Sequence, residues 1–367
     1  MAPRAKAADA EPTPESDRIG DLPHPRERFE LYGHAAAAQT LATAARSGRL
    51  PHAWILAGPK GVGKATLAWR FARAVLAHGA KNCPDDLAVP ANSSVARQVA
   101  VLAHPDLIVI RRPWDHEKKR FKTELPVDEV RRLHGFFSRH ASEGGARIAI
   151  VDTADDMNRA SQNALLKILE EPPSGALLLL VSHAPGGLLP TTRSRCRLLT
   201  LRSLDADAMH EAVAALAPSI DQKSQALLSA LAGGAPGRAL ELAESDASAM
   251  YREIVELLLT VPRLNGAKLF GFAEKVARSP VERGLYLFVS LLSQIEERAL
   301  RGAHAPLADI PDEDALLRHL RAVMPLDRWS GLWEALKADA LRADDLNLDK
   351  KQLVLNTFFA IEAASQR

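Results

Sequence analysis

The chain has 367 residues, 47% of them hydrophobic, and a formal net charge of +2. That length is more than one core holds and predicts two or three domains. The near-balance of charge excludes a general electrostatic grip on nucleic acid and leaves room only for local basic patches. The two cysteines, Cys83 and Cys196, lie far apart, which excludes a disulfide framework and suits a reducing, cytoplasmic setting.

Residues 1–22 are rich in Pro, Ala and charge, lack the apolar stretch of a secretory signal, and are expected to form a disordered tail. From about residue 25 to 202, apolar runs alternate with helical stretches. Ala53–Ala57 predicts a first strand, which turns through a Gly-rich loop into a helix over 64–76. Residues 106–110 predict a second strand, with a Pro-framed basic loop behind it. A helix over 127–140 and a strand over 147–151 follow. Arg159–Glu170 is helical and is stopped by Pro172 and Pro173. Ala176–Ser182 and 197–201 are the last two strands. The longest apolar run, 176–181, suits a buried strand and is far too short to span a membrane. Strict alternation of strand and helix predicts an α/β domain, a parallel sheet with helices on both faces, over 23–202. After 203 the strand signals stop. Residues 203–246 offer short helices around Gly233-Gly234-Ala235-Pro236-Gly237, a small helical domain. Residues 247–367 form a larger helical one, with periodic apolar positions such as Ile254, Leu257, Leu258 and Leu287, Leu291, Leu292, Ile295. Residues 302–312 are the expected linker inside it.

Gly58-Pro59-Lys60-Gly61-Val62-Gly63-Lys64-Ala65 follows the phosphate-loop pattern except at its last position. The glycines let backbone N–H groups turn toward phosphate oxygens. Lys64 reaches the terminal phosphates, and the helix that starts there adds positive dipole. The competing interpretation is an ordinary strand–turn–helix with chance glycines, but the strand before and the helix after favour a phosphate loop. Ala65 is the informative departure: a Ser or Thr hydroxyl at that position normally binds Mg²⁺. Thr66 comes one residue later, and on a helix points about 100° away. The loop is expected to hold phosphate and to hold a metal poorly.

The strand 147–151 ends in Asp152-Thr153-Ala154-Asp155-Asp156. Asp152 stands where a metal-side carboxylate would stand. An active ATPase of this type follows it with a Glu that polarises the attacking water, and Thr153 has no carboxylate to accept a proton. Asp155 and Asp156 are expected to cap the following helix. Two separate parts of a hydrolytic centre are therefore degraded.

Several segments together resemble the clamp-loader branch of AAA+ proteins. They are Asn163 to Pro173 (NALLKILEEPP), then Ser182, then Thr192-Arg193-Ser194-Arg195-Cys196-Arg197, supported by Gly33-His34, Pro51 to Trp54, His104 to Leu107, and a late segment from Asn347 to Gln352. The resemblance implies an AAA+ P-loop sheet, a helical lid over 203–246 and an all-helical collar over 247–367 that assembles a hetero-oligomeric ring. It implies a degenerate nucleotide site made by Gly58, Gly61, Val62, Gly63, Lys64, Ala65, Thr66 and Asp152. Ser182 falls at sensor 1, Arg238 at sensor 2, and Arg195 at an arginine finger acting on a neighbour. It further implies delta and gamma/tau-type partner subunits, a beta sliding clamp, and primed DNA. ATP is expected to bind weakly, without turnover. Each of these residues has a plainer role open to it: a strand-end turn for Ser182, a helix-surface charge for Arg238, one of several exposed arginines for Arg195.

Members of this branch commonly carry a four-cysteine zinc module between the phosphate-loop helix and the second strand. Here residues 81–104 retain only Cys83, which with His104 cannot complete a tetrahedral site, so no zinc is expected. The basic segment 111–122 has aromatics among its cations, as a DNA contact would, but its interleaved acids favour a solvated loop. The rival to a non-hydrolysing subunit is an active motor of gamma/tau type. A small-molecule kinase on the same loop is more distant, because the chain ends in helices of collar type.

Overall fold

The computed structural model describes residues 13–20, 22–139, 145–279, 284–301, 310, 313–323, 331, 332, 334–336, 338, 339 and 349–365. The chain divides into two units. The first reaches Met209 and takes in Gly234–Gly237; the second comprises His210–Gly233 and Arg238–Arg367. The segment 203–246, expected as a lid of its own, is shared between them.

In the first unit, Ala53–Ala57 (β1), Leu107–Ile110 (β2), Arg147–Asp152 (β5), Ala176–Ser182 (β6) and Arg197–Thr200 (β7) form one parallel sheet in the order β2-β5-β6-β1-β7. The three inner strands read as unbroken apolar runs because both of their faces are covered. Alternate residues serve two cores. Trp54 and Leu56 pack with Leu41, Trp69, Phe71 and Val75 on one side. Ile55 packs with Val130, Leu133, Leu165 and Ile168 on the other. The first set comes from Ala35–Arg46 (α1) and Lys64–His78 (α2), the second from Val127–Phe137 (α4) and Arg159–Glu170 (α5). The register sets Ala57 against Ser182 and Asp152 against Val181, so β1, β5 and β6 end at one level. Ligands of open α/β sheets bind outside such carboxyl ends.

Four local features differ from the sequence reading. The alanine-rich stretch 35–46 forms α1, burying Ala38, Leu41, Ala42 and Ala45 at helical spacing. Helix α4 stops at Phe137, while His140, the expected end, lies outside the described residues. The basic loop contains a hairpin, Trp114–Asp115 (β3) with Arg120–Phe121 (β4), pinned by an edge-to-face Trp114–Phe121 pair at 5.0 Å. Of the expected disordered tail, residues 1–12 and 21 lie outside the described residues, while 13–20 and 22 are placed against the rest of the first unit. Glu15 pairs with Arg26 at 2.9 Å, Asp17 with Arg111 at 2.8 Å and with His24 at 3.0 Å. Burial pushes the Glu15 carboxyl upward, but Arg26 and Arg111 outweigh it and hold it at about 2. Ionised partners thus anchor a segment whose composition alone suggests disorder.

The second unit is helical among its described residues. Ala247–Leu259 (α10) packs on Leu285–Arg301 (α12) and Glu313–Val323 (α13), and Gly266–Arg278 (α11) packs on the closing helix Lys350–Ser365. Phe272, Phe288 and Phe358 form a ring cluster with centroids 5.8 to 6.0 Å apart. The buried Tyr251 hydroxyl donates to Glu313, which Arg298 also engages. Asp349 starts the closing helix by accepting from Lys351 N at 2.8 Å. Asn347 and Leu348 of the late segment, and 302–309, 311 and 312 of the expected linker, lie outside the described residues. No helix among the described residues is long and apolar enough to cross a membrane.

Candidate functional site

The turn after β1 is shaped by glycine. Gly58, Gly61 and Gly63 have φ of 144°, 78° and 109°, values that other residues rarely adopt. A Cβ on Gly58 would stand 2.3 Å from the Leu201 carbonyl oxygen. Lys64 opens α2 and is 3% exposed; its Nζ donates to the Gly58 and Pro59 carbonyls at 2.7 Å each, which wraps the loop about the ammonium. Val62 is buried, and its carbonyl accepts from His34 Nε2 at 2.8 Å, with the imidazole behind Gly63. Burial lowers the His34 pKa, in keeping with a neutral ring that donates from Nε2. Gly237 N–H donates to Gly61 O at 2.7 Å, and a Cβ there would meet Gly61 Cα at 2.8 Å. His34 and Gly237 are parts of the cradle that spacing within the loop itself does not reveal.

The cradle fits a phosphate chain: its glycines open the loop backbone, its lysine ammonium lies inside the loop, and a helix starts at Lys64. It does not fit a metal centre. Ala65 offers no oxygen, and Thr66 is one helical step on. Asp152 is buried at the end of β5. Burial, and then the nearby Asp17, favour the uncharged form of its carboxyl and push it up to about 7 despite the opposing pull of Lys64. Lys64 itself is lowered to about 8, mainly by burial, with Asp152 and Asp155 opposing. Thr153 provides no base.

Asp155 does not cap α5, which corrects the sequence reading. Asn158 caps that helix by accepting from Ser161 N at 3.0 Å. Asp155 instead accepts from Ser182 Oγ at 2.8 Å, from His183 N at 2.5 Å and from Ala184 N at 3.1 Å. Asp156 pairs with Arg112 at 3.1 Å. Ser182, at the end of β6 and fully buried, is therefore tied to the Asp155 carboxylate. Its neighbour His183 is lowered to about 4 by burial and by Lys64, and is neutral at physiological pH.

Arg195 ends the short helix Pro190–Arg195 (α6), which sits against α5. Its Nη2 lies 2.9 Å from Glu170 Oε1, and its Nη1 donates to the Thr191 carbonyl at 2.9 Å. The structure thus brings Gly58, Gly61, Val62, Gly63, Lys64, Asp152 and Ser182 to one end of the sheet and places Arg195 apart from them on α6. Arg238 belongs to the second unit, where it donates to Ser290 Oγ at 2.6 Å. Cys83 is buried in the core beside α2, where burial pushes its thiol up to about 11.

Residues 33–205 match the family described as "DNA polymerase III, delta subunit". The chain is 36% identical over 207 residues to the DNA polymerase III delta-prime subunit of Pseudomonas aeruginosa, covering 56% of this chain and 60% of that protein. It is 32% identical over 213 residues to the delta-prime subunit of Escherichia coli, covering 57% and 59%. To a gamma/tau subunit of Mycobacterium tuberculosis it is 28% identical over 218 residues, covering 58% and 36%. The matched stretch thus spans about three fifths of the two delta-prime proteins.

Proposed function

We propose that the chain, whose residues 33–205 match the DNA polymerase III delta family and which resembles delta-prime subunits over about three fifths of their length, is a largely non-hydrolysing AAA+ subunit of a clamp loader. Its partners are then subunits of delta and gamma/tau type in a hetero-oligomeric ring, with the second unit as collar. The ring's substrates are a beta-type sliding clamp and primed DNA. The chain's own chemical contribution is Arg195, lent to the ATP site of a neighbour. The guanidinium is permanently charged, and its planar donors match phosphate oxygens. No structural zinc is expected, because the stretch 81–104 offers only Cys83 and His104 as ligands.

One observation carries the non-hydrolysing part: a complete glycine cradle at the end of β1 faces a degraded metal side. Ala65 lacks the hydroxyl, Thr153 lacks the carboxylate, and burial raises the Asp152 carboxyl. The rival, an active motor, draws on the likeness to a gamma/tau subunit and would need another carboxylate in place of Thr153. Asp155 is the nearest candidate, but Ser182, His183 N and Ala184 N already occupy it. The test is steady-state ATP turnover by the isolated full chain with Mg²⁺. Background turnover, equal in wild type and Lys64→Ala, is expected. Robust turnover abolished by Lys64→Ala would favour the motor.

A further inference from the structure

We propose that Glu170 is the positioning residue for the Arg195 guanidinium, an inference that rests on the arginine-finger reading above and extends it. Three arginines follow one another at alternate positions near the end of α6: Arg193, Arg195 and Arg197. Arg193 is exposed, and no ion pair is found for it among the described residues. Arg197 lies over the Trp54 ring, with its guanidinium carbon 5.4 Å from the centroid. Arg195 is the one that meets a carboxylate, at 2.9 Å, while the Thr191 carbonyl takes a second of its N–H groups. Two acceptors on different nitrogens orient the plane of the guanidinium and leave its other N–H groups for an incoming oxyanion.

Two features argue that the fold does not need this pair for itself. The partners are 34% and 50% exposed, and pairs so open to water add little to stability. Glu170 is also the last residue of α5, and Pro172 follows closely. A carboxylate at a helix C-terminus faces the negative end of the helix dipole, where a cation is preferred. An acid in that unfavourable place, aimed at one particular arginine of three, is accounted for by what it does to the arginine. A free arginine samples many rotamers, and ordering it costs entropy each time a phosphate is engaged. Held by Glu170 and Thr191, the finger meets that cost before the neighbour's nucleotide arrives.

The test uses the full chain assembled with its clamp-loader partners, all otherwise wild type, and reads clamp- and DNA-stimulated ATPase. Glu170→Gln should lower kcat by about threefold to tenfold with the KM for ATP little changed. Glu170→Asp, which keeps the charge but shortens the reach, should fall between. The double variant Glu170→Gln/Arg195→Ala should be no slower than Arg195→Ala alone, because both act through one guanidinium. Glu171→Gln, the adjacent acid, is the control and should match wild type. Wild-type or faster rates for Glu170→Gln, with Arg195→Ala slow, overturn the positioning role and leave the finger standing. Independent, multiplying losses in the double variant also overturn it. An Arg195→Ala complex as fast as wild type overturns the finger reading itself.

Discussion

At the end of β1 the loop has the shape of a phosphate site, with Ala65 and Thr153 where a hydroxyl and a carboxylate would assist a metal and a water. At α6 the reverse holds: there is no cradle, only one oriented guanidinium. The comparison teaches that binding geometry and chemistry are carried by different kinds of residue. The cradle is backbone: Gly58, Gly61 and Gly63 at positive φ, with Lys64 tied to two carbonyls. Such a loop is also part of the fold, since Gly58 closes on Leu201 and Gly237 on Gly61. Its shape is therefore held by packing whether or not the site turns over nucleotide. Hydrolysis, by contrast, depends on single side chains such as those replaced by Ala65 and Thr153, and these can change with little effect on packing.

The largest expected effect probes the structural side of that division. Gly58→Ala should cost about 3 kcal/mol or more, because its Cβ would overlap a backbone carbonyl at a φ reserved for glycine. Thermal or denaturant unfolding reads this directly. A loss below about 1 kcal/mol would mean that the cradle is not structural and would need another reason to persist.

Next comes Asp152, whose carboxyl rises from its ordinary 3.8 to about 7 on folding. A raised acid favours the folded state fully below its unfolded value, and that contribution is lost as pH rises through the folded value. Asp152→Asn should therefore stabilise the protein above pH 7, on the order of 2 kcal/mol, with the gain vanishing toward pH 4. Paired unfolding curves at pH 4.5 and 8 give the answer. A pH-independent difference would show that Asp152 is ionised throughout and remains able to serve a metal.

A smaller effect is expected at Asp155. Asp155→Ala removes the acceptor of three donors, one of them on the buried Ser182, but the site is partly open to water. A loss of about 1 to 2 kcal/mol is expected in unfolding experiments. No loss would leave Asp155 free for other roles and would strengthen the motor reading.

Much of this was legible in the sequence where a local rule sufficed. β1, β5 and β6 announce themselves as apolar runs because both faces are buried, and the loop motif shows both what it keeps and what Ala65 lacks. The misreadings share a cause: partners far away in the chain. Asp155 and Asp156 resemble capping acids locally, yet Asp155 bonds to Ser182, 27 residues on. Residues 13–22 have the composition of a tail, but Glu15 finds Arg111 across 96 positions. Helix α1 was obscured by alanines, with Leu41 its one large buried side chain, and β3 and β4 are too short at two residues each to show a period. Of the cradle, His34 and Gly237 reach it through tertiary contacts that no spacing rule covers.

The central claim is that this chain acts through α6 and not through its own loop, and one comparison tests it most directly. Two complexes are assembled with otherwise wild-type partners, one carrying Lys64→Ala and the other Arg195→Ala, and clamp- and DNA-stimulated ATPase is measured in both. Fingers of this kind supply on the order of 10³ to 10⁵ at the site they serve, and the loss for a whole ring with several sites is smaller, about tenfold. The account predicts that loss for Arg195→Ala, incomplete rescue by Arg195→Lys, and rates within about twofold of wild type for Lys64→Ala. A slow Lys64→Ala complex beside an unaffected Arg195→Ala complex would contradict it.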